Sequence, residues 1–432
     1  MAAETRILTR RVGRYEVRDV GAYERLGGLK GLRRTLSMSP GEVIDEVKRS
    51  GLTGRGGAGF SAGAKWGYAA ASDTSPKYLI CNADEGEMGT HKDRVLLEGD
   101  PWAVLEGMLI AAYAIGAREA YTYIRGEYQE VYELWEDVAR AAKAAGLLGD
   151  RVLDSSFSLE LHIAKGRGLY IAGEELALIA SLEMRRPMSR LKPPYPAERG
   201  LFGKPTVVNN VETLANVPVI LAEGADAYRT RGVERDPGTR LFSLSGDVKR
   251  PGVYELETGA ATLGELIMDL GGGTLGGGRV KAVQPGGGTS GLLAADSLEC
   301  PLTAEAIREA GSTLGTGGVI VYEEGHSAVR MVGDLLAFYG DESCGRCLPC
   351  RIGVKRMSQI AARLQAGEGA AEDLAKLRQI GRACGSATLC GYGQTVAVPV
   401  ISAMELFPDE FEACVQAAHG ADVPARAEGG CG

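Results

Sequence analysis

From residue 39 to about residue 235, apolar positions switch repeatedly between helical and strand spacing. Ser39-Pro40 opens a helix, Val43, Ile44 and Val47 share one face of it, and Gly51 ends it. The run 78–81 reads as a buried strand, 102–114 as a helix, 119–124 as a strand and 128–145 as a charged amphipathic helix. Alternation over 158–164 gives another strand, and a helix starts near Glu174. Such alternation predicts a mostly parallel sheet covered by helices. The character changes over 241–322, with short β-like runs at 241–244 and 318–322, a helix at 263–270 and glycine clusters at 271–273 and 276–278. A small α+β module fits that block. The block 327–414 is helical in pattern, and the tail from Ala418 is small, polar and expected to be disordered. There is no internal repeat.

Composition narrows the class. A chain of 432 residues that is 45% hydrophobic supports two or three domains with their own cores. The net charge of -8 argues against phosphate-backbone binding as the main business. The longest apolar stretch, 108–115, is far too short to span a bilayer, and the charged first residues have no apolar run behind them. The nine cysteines are not paired along the sequence and the clustered ones look like ligands, which indicates a reducing compartment. The expectation is a soluble intracellular protein.

The clustered cysteines carry the sharpest chemistry. Glu342-Ser343-Cys344-Gly345-Arg346-Cys347-Leu348-Pro349-Cys350-Arg351 gathers three thiols at C-x-x-C-x-x-C spacing, suited to an iron–sulfur cube with one remote fourth ligand. Structural zinc usually takes two separated C-x-x-C pairs, a pattern this run does not follow. Cys390 and Cys384 are both available as the fourth ligand, and spacing alone does not separate them. Cys81 reads as a buried strand residue, and His162, His326 and His419 have no metal spacing.

A second chemistry lies in the first block. Gly54-Arg55-Gly56-Gly57-Ala58-Gly59-Phe60 lets backbone N–H groups approach a phosphate, with Lys65 close behind, although a helix rather than a strand precedes it. Asn82-Ala83-Asp84-Glu85-Gly86-Glu87 follows the 78–81 strand, at the end where open α/β sheets bind ligands. Gly173-Glu174-Glu175, after a strand expected near Tyr170, and Asn209-Asn210-Val211-Glu212-Thr213 add further acids and amides. Each cluster alone reads equally as a charged loop; together with a glycine loop they point to a nucleotide site.

These motifs, with Lys192-Pro193-Pro194, give a chain that resembles the flavin-bearing, NADH-oxidising subunit of respiratory complex I, a family shared with diaphorase subunits of NAD-linked hydrogenases and formate dehydrogenases. The match runs from about Gly51 to Cys390. The resemblance implies an N-terminal extension (1–38), a Rossmann-like FMN/NADH domain (39–235), a ubiquitin-like β-grasp domain (236–326), a helical bundle holding one [4Fe–4S] cluster (327–415) and a flexible tail (416–432). It implies that Gly54, Arg55, Gly56 and Lys65 hold the FMN phosphate and its surroundings, while Asn82, Asp84, Gly173, Glu174, Asn209, Asn210 and Thr213 hold ribityl and isoalloxazine. Phe60, Tyr68 and Tyr195 would stack on the adenine end of NADH, and Glu87, Glu175 and Lys192 would contact its polar groups. Cys344, Cys347, Cys350 and Cys390 would ligate the cluster, which demotes Cys384 to a bystander. No side chain need act as nucleophile or base, because FMN converts a two-electron hydride donor into single-electron steps. The Glu175 carboxylate would repel a 2′-phosphate and favour NADH over NADPH.

Several positions depart from the family pattern: Ser61-Ala62, Met88, His91, Ala172, Leu176 and the stretch 184–189, none of them a ligand in the implied set. Two functional settings follow. One is electron entry to an NADH:quinone oxidoreductase, with a thioredoxin-like [2Fe–2S] subunit and a larger multi-cluster subunit as partners, on the cytoplasmic or matrix side of a membrane. The other is the diaphorase of a hydrogenase or formate dehydrogenase. A zinc-bound scaffold is a third class, which the intact glycine and Asn-Asp-Glu clusters disfavour.

Overall fold

The computed structural model describes residues 3–420, with side chains through residue 415; of the tail expected to be flexible from residue 416, the residues through Gly420 are helical and the rest lies outside the described residues. The chain forms two compact units, the first running to Glu324 and including 389–391, the second comprising 325–388 and the residues from 392 onward.

The first unit opens with two short helices, α1 (Val20–Arg25) and α2 (Lys30–Thr35), before α3 (Pro40–Arg49) and α4 (Ala62–Ala70). The Ser39 start is a complete capping box, in which the Ser39 and Glu42 side chains each accept from the other's backbone N–H. A four-stranded sheet follows, built from β1 (Tyr78–Ala83), β2 (Glu119–Ile124), β3 (Glu160–Lys165) and β4 (Thr206–Asn210), in the order β3-β2-β1-β4. Every pairing is parallel, as the alternation predicts. Its crossovers carry α5 (Lys92–Gly99), α6 (Pro101–Ile115), α7 (Gln129–Ala144), α8 (Glu175–Leu182) and α9 (Pro196–Arg199), and α10 (Val211–Glu223) and α11 (Ala225–Arg229) leave β4.

Helices α6 and α10 are apolar nearly all round and form the centre of the core with Leu79, Cys81 and Ala83 of β1. They approach so closely that a Cβ on Gly107 would fall 2.0 Å from the Leu214 carbonyl oxygen, so only glycine fits there. One expectation fails. No strand forms near Tyr170; Tyr170–Gly173 is a 3-10 turn leading directly into α8. The apolar residues Ile171 and Ala172 are buried there without strand pairing.

The rest of this unit has a hairpin of β5 (Gly232–Val233) with β6 (Asp236–Pro237), and a mixed sheet of β7 (Thr239–Gly246), β8 (Gly252–Glu257), β9 (Val280–Gln284), β10 (Leu293–Ala294) and β11 (Gly318–Glu323). Its order is β10-β9-β11-β7-β8, with only β11 and β7 parallel. The short helix α12 (Leu263–Glu265) continues as a π turn over Leu266–Leu270, and α13 (Ala304–Glu309) precedes β11. The helix expected over 263–270 is therefore present with a wider last turn.

The second unit is helical, as its pattern predicts: α14 (Ala328–Glu342), α15 (Leu348–Gln365), α16 (Asp373–Ser386), α17 (Gly391–Thr395), α18 (Val398–Leu406) and α19 (Pro408–Gly420). The first residue of α17, Gly391, belongs to the segment grouped with the first unit. No helix among the described residues is long and apolar enough to cross a membrane.

Candidate functional site

In the parallel sheet β1 lies between β2 and β4, with β2 and β3 laid down to one side and β4 to the other. In open α/β sheets ligands bind outside the carboxyl ends of the strands at such a reversal. Here that point pairs Cys81 with Asn209 and Asn82 with Asn210. Its amides are oriented by internal bonds. Asn82 donates to the Gly173 carbonyl at 2.8 Å and accepts from the Asp84 N–H at 3.1 Å. Asn209 accepts from the Trp66 indole at 2.8 Å. Asn210 caps α10, accepting from the N–H groups of Glu212 (3.0 Å) and Thr213 (3.4 Å), and donates to Asp93 at 2.6 Å.

The glycine loop lies against Asn210. Its base closes through the Gly54 N–H on the Phe60 carbonyl at 2.8 Å, and residues 56–60 are exposed. Gly57 and Gly59 have φ of +109° and +64°, and a Cβ on Gly56 would sit 3.0 Å from Asn210 Cβ. Backbone thus reaches the strand ends where any side chain would crowd or strain it, which is the cradle a phosphate needs. This geometry, with three amide side chains at the strand ends, fits the phosphate and polar edges of FMN.

An acid–base network sits beside it. Glu174 caps α8, accepting from Leu176 N–H at 3.1 Å and Ala177 N–H at 3.0 Å. Lys192 lies 2.6 Å from Glu175 and 3.4 Å from Glu174, and Lys65 lies 3.5 Å from Glu175 while donating to the Val208 carbonyl at 3.1 Å. Burial opposes ionisation of Glu175, but Lys65 and Lys192 hold its carboxyl below the usual range. Phe60, Tyr68 and Tyr195 are all at least half exposed, open to a stacking partner. Glu87 accepts from the Tyr170 hydroxyl at 2.6 Å and from the Thr289 N–H at 3.1 Å.

Arg55 requires a correction. Its guanidinium is wholly buried and donates to Asp236 (2.5 Å), Thr53 (2.9 Å), Pro237 O (2.9 Å) and Thr239 O (3.3 Å). Sealed from solvent and engaged there, it does not meet a phosphate on the exposed loop; even its backbone N–H is bonded, to the Thr213 hydroxyl at 2.8 Å. Sequence reasoning also passed over Glu85. This buried carboxylate accepts from the Asp93 N–H at 2.8 Å and the Arg94 N–H at 3.2 Å in the first turn of α5, and from the Tyr128 hydroxyl at 3.2 Å. Lys92, equally buried, bridges Asp93 and Glu212 at 2.8 Å each. The signal for Glu85 was its place in the Asn82–Glu87 run, where sequence does not say which acid turns inward.

In the second unit the cysteine run spans the turn into α15, with Gly345 at φ +77° and Cys347 as N-cap. The first turn of a long helix favours thiolates. Cys350 is buried, touches the Ser343 hydroxyl at 3.3 Å and has its thiol pushed up to about 11, chiefly by burial, with Cys384, Cys344 and Cys347 adding to it. Cys384 donates to the Pro349 carbonyl at 3.3 Å, so it stands beside the run. Cys390 is buried and falls in the 389–391 segment of the first unit. The thiols are closely spaced along the chain, a donor set that fits iron–sulfur chemistry, although among the described residues no three of them are gathered about a single metal position.

A glycine cradle at a sheet reversal, in one chain with a triple-thiol run, defines a protein with a nucleotide-type phosphate site and iron–sulfur chemistry. Residues 47–219 match the Nuo51 FMN-binding domain, 240–320 an SLBB domain and 330–414 the NADH-ubiquinone oxidoreductase-F iron-sulfur binding region. The chain is 43% identical to the NADH-quinone oxidoreductase F 2 subunit of Rhizobium meliloti (strain 1021), over 92% of this chain and 94% of that one. It is 44% identical to the NADH-quinone oxidoreductase F subunit of Aquifex aeolicus (strain VF5), covering 95% of each. The HndC subunit of the NADP-reducing hydrogenase of Solidesulfovibrio fructosivorans is 42% identical, over 95% of this chain and 84% of that one. Among solved structures, the NAD+-reducing [NiFe]-hydrogenase in its H2-reduced state superposes with a TM-score of 0.83 at 36% identity, covering 96% of this chain and 67% of that one. The chain belongs to the family of NADH-quinone oxidoreductase F subunits.

Proposed function

We propose that this chain oxidises NADH and delivers the electrons singly, through a [4Fe–4S] cluster of its own, to partner iron–sulfur subunits of an NADH:quinone oxidoreductase. Its family is that of NADH dehydrogenase flavin subunits, with FMN, NADH and one [4Fe–4S] cluster as cofactors. The observation that carries the reading is the exposed glycine loop set against Asn210, which pairs with Asn82 at the carboxyl ends of β4 and β1.

When bound, FMN supplies the conversion between hydride and single-electron chemistry. The residues do the holding. Gly54 and Gly56, with Lys65, take the phosphate, and Arg55 serves there through the loop it anchors. Asn82, Asp84, Gly173, Glu174, Asn209, Asn210 and Thr213 take the ribityl chain and ring edge. Phe60, Tyr68 and Tyr195 offer rings to the adenine, while Glu87 and Lys192 meet polar groups of NADH. Glu175 disfavours a 2′-phosphate. Cys344, Cys347, Cys350 and Cys390 are the ligands the family pattern assigns to the cluster. The domain boundaries 39–235, 236–326 and 327–415, a ubiquitin-like description of the middle module, partners comprising a thioredoxin-like [2Fe–2S] subunit and a multi-cluster subunit, and a seat in a membrane-associated complex's peripheral arm belong to the same proposal.

Anaerobic NADH titration with absorbance and low-temperature EPR tests it. Bleaching of a flavin band with a cubane signal is expected; a colourless protein that contains zinc overturns it. The similarity to HndC keeps a hydrogenase-linked diaphorase as the second reading. Electron transfer from the purified complex to a quinone analogue, compared with hydrogen-dependent NAD reduction, separates the two.

A further inference from the structure

We infer that Arg55 and Asp236 form a positioning pair that fixes the shape of the glycine loop, so that preference for a phosphorylated flavin depends on a buried ion pair that never touches the phosphate. The inference rests on the FMN reading above.

Arg55 is the second residue of the loop, yet its guanidinium is fully buried. Its side-chain hydrogen bonds run to Thr53 and to the 236–239 stretch. Asp236 completes the clasp by accepting from Thr53 Oγ1 at 3.1 Å and from Arg240 Nε at 2.7 Å. Despite burial, the two arginines hold the Asp236 carboxyl down at about 2, so the pair stays ionised at neutral pH. The Thr213 hydroxyl, from the first turn of α10, takes the Arg55 N–H at 2.8 Å. The loop is thereby tied at one residue to both β6 and α10, and the exposed Gly56 and Gly57 follow directly from that knot. A buried pair of this kind gains little net stability against an apolar substitute, so its value lies in fixing one geometry.

The test strips the flavin from the full chain and measures equilibrium binding of FMN and of riboflavin, which lacks the phosphate, by fluorescence quenching. The wild type should bind FMN far more tightly. Asp236→Asn should cut the FMN-over-riboflavin ratio by about tenfold, the worth of one phosphate hydrogen bond, with riboflavin affinity within about twofold. Should that variant fail to fold, as its melt and iron content would reveal, Thr53→Val removes the hydroxyl's three bonds to Arg55, Asp236 and Arg240 without stranding a charge. It should cut the ratio by about threefold. Equal weakening of both flavins, or an unchanged ratio, overturns the positioning role. A wild type that binds neither flavin overturns the FMN reading instead.

Discussion

The flavin end and the cysteine end of this chain are built on opposite plans. At the carboxyl ends of β1 and β4, Asn82, Asn209 and Asn210 already have protein partners that hold them in place. In the second unit, the Cys350 thiol has a 3.3 Å contact with Ser343, and burial makes it harder to ionise. The first arrangement is pre-shaped by hydrogen bonds and by glycine backbone. The second carries the right donors close along the chain, but among the described residues no three of them are already gathered about one point, and its strong bonds come only from the metal, which must displace the thiol protons. The flavin end should therefore survive loss of its ligand, and the cysteine end should not.

Removing a thiol from the run makes the largest break. Cys347→Ala should take iron from about four per chain to near zero, the full count of a cubane, while FMN stays bound. Cys384→Ala is the control: iron content should hold, with only the modest cost of a small buried deletion, about 1–2 kcal/mol in denaturant unfolding. Loss of iron in the control would make Cys384 the fourth ligand in place of Cys390. Next in size is Gly56→Val. Its Cβ would press on Asn210 Cβ at 3.0 Å, and FMN affinity should fall by about tenfold or more while the cluster signal persists. Smaller again is Glu175→Gln, which removes the charge that meets a 2′-phosphate and leaves Lys65 and Lys192 nearby. It should narrow the NADH-over-NADPH ratio of kcat/KM by about tenfold. Unchanged NADPH kinetics would sink the specificity role.

What sequence could show follows the same division. Local signals are legible. The Ser39–Glu42 capping box, the strand over Glu119–Ile124 and the helix Gln129–Ala144 each rest on neighbouring residues. Leu169, Tyr170 and Ile171 imitate a strand, but Gly166, Gly168 and Gly173 flank them, and the backbone closes into a 3-10 turn. β4 is legible only through the amides at its end, since five residues give too little pattern. The expectation for Arg55 fails for a reason of distance. An arginine among glycines suggests a phosphate ligand, while the carboxylate that claims it lies 181 residues away. In the cysteine region spacing suffices to name the chemistry, because iron needs donors of one kind at short intervals.

A pH-dependent effect, at Glu85, probes the flavin end's pre-shaping directly. Its carboxylate serves as the N-terminal cap of α5 from outside the helix, through the Asp93 and Arg94 N–H groups. Burial, reinforced by Asp93, pushes it up to about 7, against the pull of Lys92 and those two N–H groups. In the unfolded chain it titrates near 4.3. Between those values the folded state binds the extra proton, so stability is greatest at the acid side of the window and declines as pH rises through it. Glu85→Gln keeps an acceptor for the helix and removes the titration. Relative to that variant, wild type should lose roughly 1–3 kcal/mol of unfolding free energy between pH 5 and pH 8, at about 1.4 kcal/mol per pKa unit. Urea unfolding of both proteins at the two pH values measures the difference. A gap that does not change with pH would mean that Glu85 ionises like a surface carboxylate, and that α5 is held by Lys92 between Asp93 and Glu212 instead.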